Sequence, residues 1–225
     1  MKKILLLSTL FLLTNCKNIT HQDYILDVNN QTKLPALEAV IDTTNLENVF
    51  SLGGFVANAN NMGAAGRNGW VQASAMAGTS FRDPRMQDTM TLFDDFVKNK
   101  VTNPYGEKKG YMVLNIGYRN AIDHYENIAT AWLSIISLGT LNLLGFPFGV
   151  DEDEMKISVE ILNSKKELVK RYTSVQSDTE WAAAYWGYNV PKISRKITIE
   201  NVKNALEDIG NQISNDVYEI NKRLK

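Results

Sequence analysis

Side chains that most often do chemistry are scarce in this chain: one cysteine, Cys16, and two histidines, His21 and His124. His124-Tyr125-Glu126 has the order of the first half of a zinc deaminase motif, but the cysteine pair that would complete the metal site is missing. Neither Gly-x-Ser-x-Gly nor His-Glu-x-x-His occurs. A serine–histidine pair would have to use His21, in a polar N-terminal stretch, or His124, beside a long apolar run. The acidic run Asp151-Glu152-Asp153-Glu154 lacks the glycine and the spaced ligands of a calcium loop, so it reads as a solvated acidic turn. Gly63, Gly66 and Gly69, with Arg67 among them, stand three apart but lack the lysine and hydroxyl residue of a phosphate loop. A carboxylate pair for glycoside hydrolysis needs no local motif and stays open. The expectation is a protein that is not an enzyme and uses no cofactor or metal.

Charge narrows the partners. Lys and Arg number 24 against 25 Asp and Glu, giving a net charge of −1 with no long basic run. Nucleic acid needs a concentrated positive footprint, so it is an improbable ligand. A single cysteine also rules out an internal disulfide framework.

That cysteine stands in a telling place. Met1-Lys2-Lys3 precedes an apolar run from Ile4 to Leu13, broken only by Ser8 and Thr9. A basic start followed by about ten apolar residues is a secretory signal and is too short to span a bilayer. The run closes in Leu13-Thr14-Asn15-Cys16, which resembles the lipobox of bacterial lipoproteins; Asn15 departs from the usual Gly, Ala or Ser. The resemblance implies cleavage after residue 15 and acylation of Cys16, with membrane lipid as the first partner. Several acyl chains hold durably where one alone is marginal. Lys17 is not the Asp that resembles an inner-membrane retention signal, so the expected location is the outer membrane, facing the periplasm. Residues 16–35 then read as lipidated cysteine and polar tether, and residues 36–225 as a single domain.

The elements of that domain follow from periodicity. Leu37 to Ile41 reads as a first strand. Asp83 is a candidate helix cap before Pro84, and Met86, Met90, Phe93, Val97 and Val101 recur every three or four residues to form one apolar stripe. Tyr111 to Tyr118 is a strand. Met155, Ile157, Val159 and Ile161 alternate with Lys156, Ser158 and Glu160, and after an Asn163–Lys166 turn the chain returns over Leu168 to Val175. Val202, Leu206, Ile209, Ile213, Val217, Ile220 and Leu224 form the stripe of a long last helix, with Thr198 its candidate cap. The expected class is α+β, an antiparallel sheet packed by amphipathic helices.

An internal hydrophobic segment, residues 128–148, interrupts this plan. No charged residue occurs from Asn127 to Val150, while Gly139, Gly145 and Pro147 break any continuous helix. Three readings are open: a buried helix, an interfacial segment whose membrane-contact residues would be Trp132, Ile135, Ile136, Leu143, Leu144, Phe146 and Phe148, or a full span. Trp181, Tyr185, Trp186 and Tyr188 form a second aromatic group suited to a membrane interface or to core packing.

The layout of lipidated cysteine, tether, α+β body and terminal amphipathic helix looks like the small envelope lipoproteins of Gram-negative bacteria. It implies a non-catalytic accessory or assembly factor with an envelope protein partner or self-association. The alternatives are a membrane-inserting export or pore subunit similar to the curli-secretion lipoproteins, and a periplasmic glycan hydrolase.

Overall fold

A computed structural model describes residues 19–28, 32–42, 70–73, 83–124, 149–182 and 190–224, with 132, 135–137 and 140 besides. Its elements are a short 3₁₀ turn (His21–Tyr24), β1 (Glu38–Asp42), β2 (Trp70–Gln72), α1 (Pro84–Asp95), β3 (Gly110–His124), β4 (Gly149–Asn163), β5 (Leu168–Ala182) and α2 (Val190–Arg223). The strands form one sheet in the order β2-β1-β3-β4-β5. The architecture is α+β.

Helix α1 begins as its sequence dictates. Asp83 is extended and accepts a hydrogen bond from the Arg85 amide, and Pro84 occupies the first turn. Past Asp95 the helix widens to a π-helical turn, Phe96–Val101, where Thr102 closes the end by donating both its amide and its hydroxyl to the Val97 carbonyl. All five stripe residues of α1 and the π-helical turn are fully buried, and the seven of the α2 stripe are buried. They meet Met112, Leu114 and Ile116 of β3, Met155, Ile157, Val159 and Ile161 of β4, and Val169 and Tyr172 of β5 in one apolar layer. Each such aliphatic side chain contributes roughly 1.5–3 kcal/mol by leaving water.

The sheet is mixed, where a purely antiparallel one was expected. β1 runs parallel to β3, and the other pairings are antiparallel. Helix α1 lies between β1 and β3 in sequence and carries the chain back along the sheet, so β3 sets out in the same direction as β1. β3, β4 and β5 are also longer than their apolar runs suggested, at 15 residues each. Helix α2 starts at Val190, so Thr198 is an interior residue, and its hydroxyl lies 2.8 Å from the Ser194 carbonyl.

Within the stretch expected to be a tether, residues 19–28 lie against the body. Leu26 and Val28 join the core, and Asp27 donates its amide to Glu207. Polar composition concealed these apolar footholds. Gly210 of α2 lets the segment in: a Cβ there would stand 2.7 Å from Val28 Cγ1 and 3.2 Å from the Phe96 ring. Among the described residues no helix is long and apolar enough to cross a membrane.

Candidate functional site

The sheet has two unlike ends. At the proximal end β4 turns into β5 through Asn163–Glu167, where the Asn163 side chain accepts from the amides of Lys165 and Glu167, and Lys166 takes a positive φ of 63°. Its ammonium lies over Trp70 and Tyr111, 5.1 and 5.7 Å from the ring centroids. At the distal end β3 finishes, β4 begins and both helices start. Here the layer between sheet and helices changes from apolar to charged.

A bulge makes this change. Ile116 pairs with Ile157 and Tyr118 with Lys156, which leaves Gly117 as an extra residue on β3. Beyond it the alternation of β3 is inverted. Tyr118 falls on the open face and donates to Glu154 at 2.5 Å, and Arg119 turns beneath α2. Arg119 Nε lies 2.7 Å from Asp153 Oδ2 and 3.0 Å from Oδ1. Only 8% and 2% of these two side chains is exposed. The reading of residues 151–154 as a solvated turn is therefore corrected: they are strand, and Asp153 keeps the inward phase of Met155 and Ile157.

Helix α2 supplies the matching polar surface. Ser194 Oγ accepts from both Arg119 and Arg85, at 3.0 and 3.1 Å, and Arg85 in turn pairs with Asp83. The Thr198 hydroxyl lies 3.3 Å from Asp153, and Asn201 donates to the Asp153 carbonyl at 2.6 Å. Asn201 Oδ1 is buried without a donor among the described residues. Arg195 holds Asp88 through two hydrogen bonds of 2.6 and 2.9 Å, and Tyr24 donates to the same carboxylate at 2.8 Å. This last contact fastens the N-terminal segment to both helices. On the β5 side Lys196 lies 3.2 Å from both Glu180 and Glu200.

Burial governs the titration of these groups. It raises Asp153 above the usual carboxylate range, and Arg119 only partly offsets it. Glu200 is pushed up to about 7 by burial first and by its hydrogen bond with Asp178 second, against the opposing pull of Lys196. Burial and donation to Asp88 push the Tyr24 phenol up to about 12. Chemically, the cluster pairs each inward cation with a carboxylate and holds the Glu200 carboxyl near neutrality. Among the described residues no group of three or more His, Cys, Asp or Glu is placed to hold a metal ion.

The residues singled out from sequence divide between places. Trp132, Ile135 and Ile136 have helical backbone and are 60%, 63% and 74% exposed. Cys16, Leu143, Leu144, Phe146 and Phe148 lie outside the described residues, as do Tyr185, Trp186, Tyr188 and the glycine-rich stretch around Arg67. His21 is exposed in the 3₁₀ turn. The charged distal cluster was missed, although one signal for it was readable. Ser194, Thr198 and Asn201 extend the α2 stripe backwards at helical spacing, as Asp153 extends that of β4.

No family model matches the chain, and no curated protein does. Among solved structures it is similar to a candidate lipoprotein from Caulobacter crescentus CB15, with 12% identity and a TM-score of 0.29 over 68% of this chain and 94% of that one. It is also similar to a minor lipoprotein from Acinetobacter baumannii, with 9% identity and a TM-score of 0.28 over 64% of this chain and 87% of that one. Both likenesses are too loose to bear on fold or function.

Proposed function

We propose that this protein is a lipid-anchored component of the Gram-negative cell envelope, a non-catalytic accessory or assembly factor that docks an envelope partner from the outer membrane. The observation that carries the reading is Leu13-Thr14-Asn15-Cys16: the chain's only cysteine stands at the end of a basic-then-apolar leader, where thioether acylation takes place. The cations of the distal cluster serve the fold: Arg85 pairs with Asp83 at the start of α1, Arg119 with Asp153 between β3 and β4, Arg195 with Asp88 between the helices, and Lys196 with Glu180 between α2 and β5. Growth with an alkyne fatty acid, followed by mass measurement of the N-terminal peptide, tests the anchor. Label on Cys16 that is lost in Cys16→Ala is the expected result, and an intact Met1 with a free thiol would refute it. Crosslinking in intact cells then captures the partner.

A membrane-inserting subunit is the second reading, favoured by the exposure of Trp132, Ile135 and Ile136. It would hold Cys16→Ala in membranes through a carbonate wash, whereas the first reading releases it.

A further inference from the structure

The two edges of the sheet are unlike. The β2 edge is three residues long, whereas the β5 edge is 15. An edge strand turns alternate amides and carbonyls away from its neighbour, and a long one invites another strand unless proline, charge, a bulge or a cover blocks it. In β5 such protection is gathered at the start. Val169 is an extra residue between Leu168 and Lys170, the carbonyls of Leu168 and Val169 accept from Arg223, and Arg171 reaches across to Glu160. From Tyr172 to Ser177 the strand has no proline, no charge and no break in its register with β4. Its outward-facing Thr173, Val175, Ser177 and Thr179 are exposed, Val175 by 52%, and among the described residues no strand pairs with this edge. Helix α2 lies over the inner face, where Tyr172 donates to Asp216 and Lys196 pairs with Glu180.

Charge selects the occupant. Lys170 and Arg171 stand at one end of the uncharged stretch, and Asp178 and Glu180 at the other. A second copy running parallel in register would set like charges side by side. One running antiparallel about Val175 sets Lys170 opposite Glu180 and covers each exposed Val175 with its twin. Positions equidistant from Val175 share a face, so the helices of both copies come to lie on one side of a continuous sheet. Lys170 is also held by Asp216 and Glu219, and Glu180 by Lys196, so charge here sets direction and register more than strength.

We propose that two copies of this chain pair antiparallel through β5, about a two-fold axis at Val175, to form one continuous sheet. The pairing does not depend on the acyl anchor. The test uses the full chain in mild detergent, with Val175→Lys and Val175→Glu, each of which meets itself at the axis. Val175 is exposed, so neither substitution disturbs the core. The parent is expected to sediment as a dimer, each variant alone as a monomer with the parent's circular dichroism, and an equimolar mixture of the two as a dimer again. Nitroxide labels are carried on the Cys16→Ser chain, so that no other thiol takes them. A label on Val175→Cys should find its twin within about 20 Å, since opposed Cβ atoms stand about 5 Å apart, and one on Lys165→Cys no nearer than about 45 Å. A parent that is monomeric at micromolar concentration would overturn the pairing. So would variants that dimerise alone, a mixture that stays monomeric, or a short distance between labels at 165.

Discussion

Arg119 and Asp153 are almost wholly withdrawn from water, so neither tolerates losing the other. Removing one member of a buried pair leaves an uncompensated charge and costs about 3–5 kcal/mol, whereas an apolar pair of similar volume is often neutral. Arg119→Ala is expected to lower the urea midpoint sharply, and the double variant Arg119→Met/Asp153→Leu to recover most of the loss. Glu200 makes a different demand. Its carboxyl is held at about 7 against an ordinary 4.5, so the folded chain binds a proton that the unfolded chain releases. This contribution to stability is complete below pH 4.5 and fades as pH rises towards 7. Glu200→Gln should flatten the decline across that window and unfold later than the parent at pH 8, as read by thermal melts at a series of pH values.

At the scale of elements, docking of the N-terminal segment turns on one close approach. Gly210→Ala improves helix propensity by about 1 kcal/mol but pushes a methyl into Val28 and Phe96, and overpacking of this kind costs about 1–3 kcal/mol. The variant is expected to be less stable and to be cleaved faster by protease between residues 19 and 35. Adding Val28→Ala should restore resistance, a coupling that a double-mutant cycle measures. Elements with one apolar face were legible because period alone reveals them: the stripes of α1 and α2 and the alternation of β4 reappear in the core residue for residue. The charged ends of those same elements were not. A strand whose inward positions change from Met155 to Asp153 looks like a strand that has stopped, and Ser194 and Thr198 look like a helix yet to start. Only partners far away in sequence, Arg119 and Arg85, make those positions interior. The parallel course of β1 beside β3 was hidden for the same reason, since strand direction depends on where α1 crosses.

For the molecule as a whole, strands of 15 residues set a length of about 50 Å from the distal end to the β4–β5 turn. The pattern around Cys16 is local and linear, so a sequence alone is enough to pose the anchor as an expectation.

Gly117 also restricts how this molecule can change length. The one supernumerary residue absorbs the change in the alternation of β3, so a chain that deleted it would pair Tyr118 directly after Ile116, with Tyr118 still facing out and Arg119 still facing Asp153. Elsewhere in the outer arm of this hairpin one added or lost residue does exchange inside for outside, so kindred sequences should differ by one residue at this bulge and by two or four beyond it.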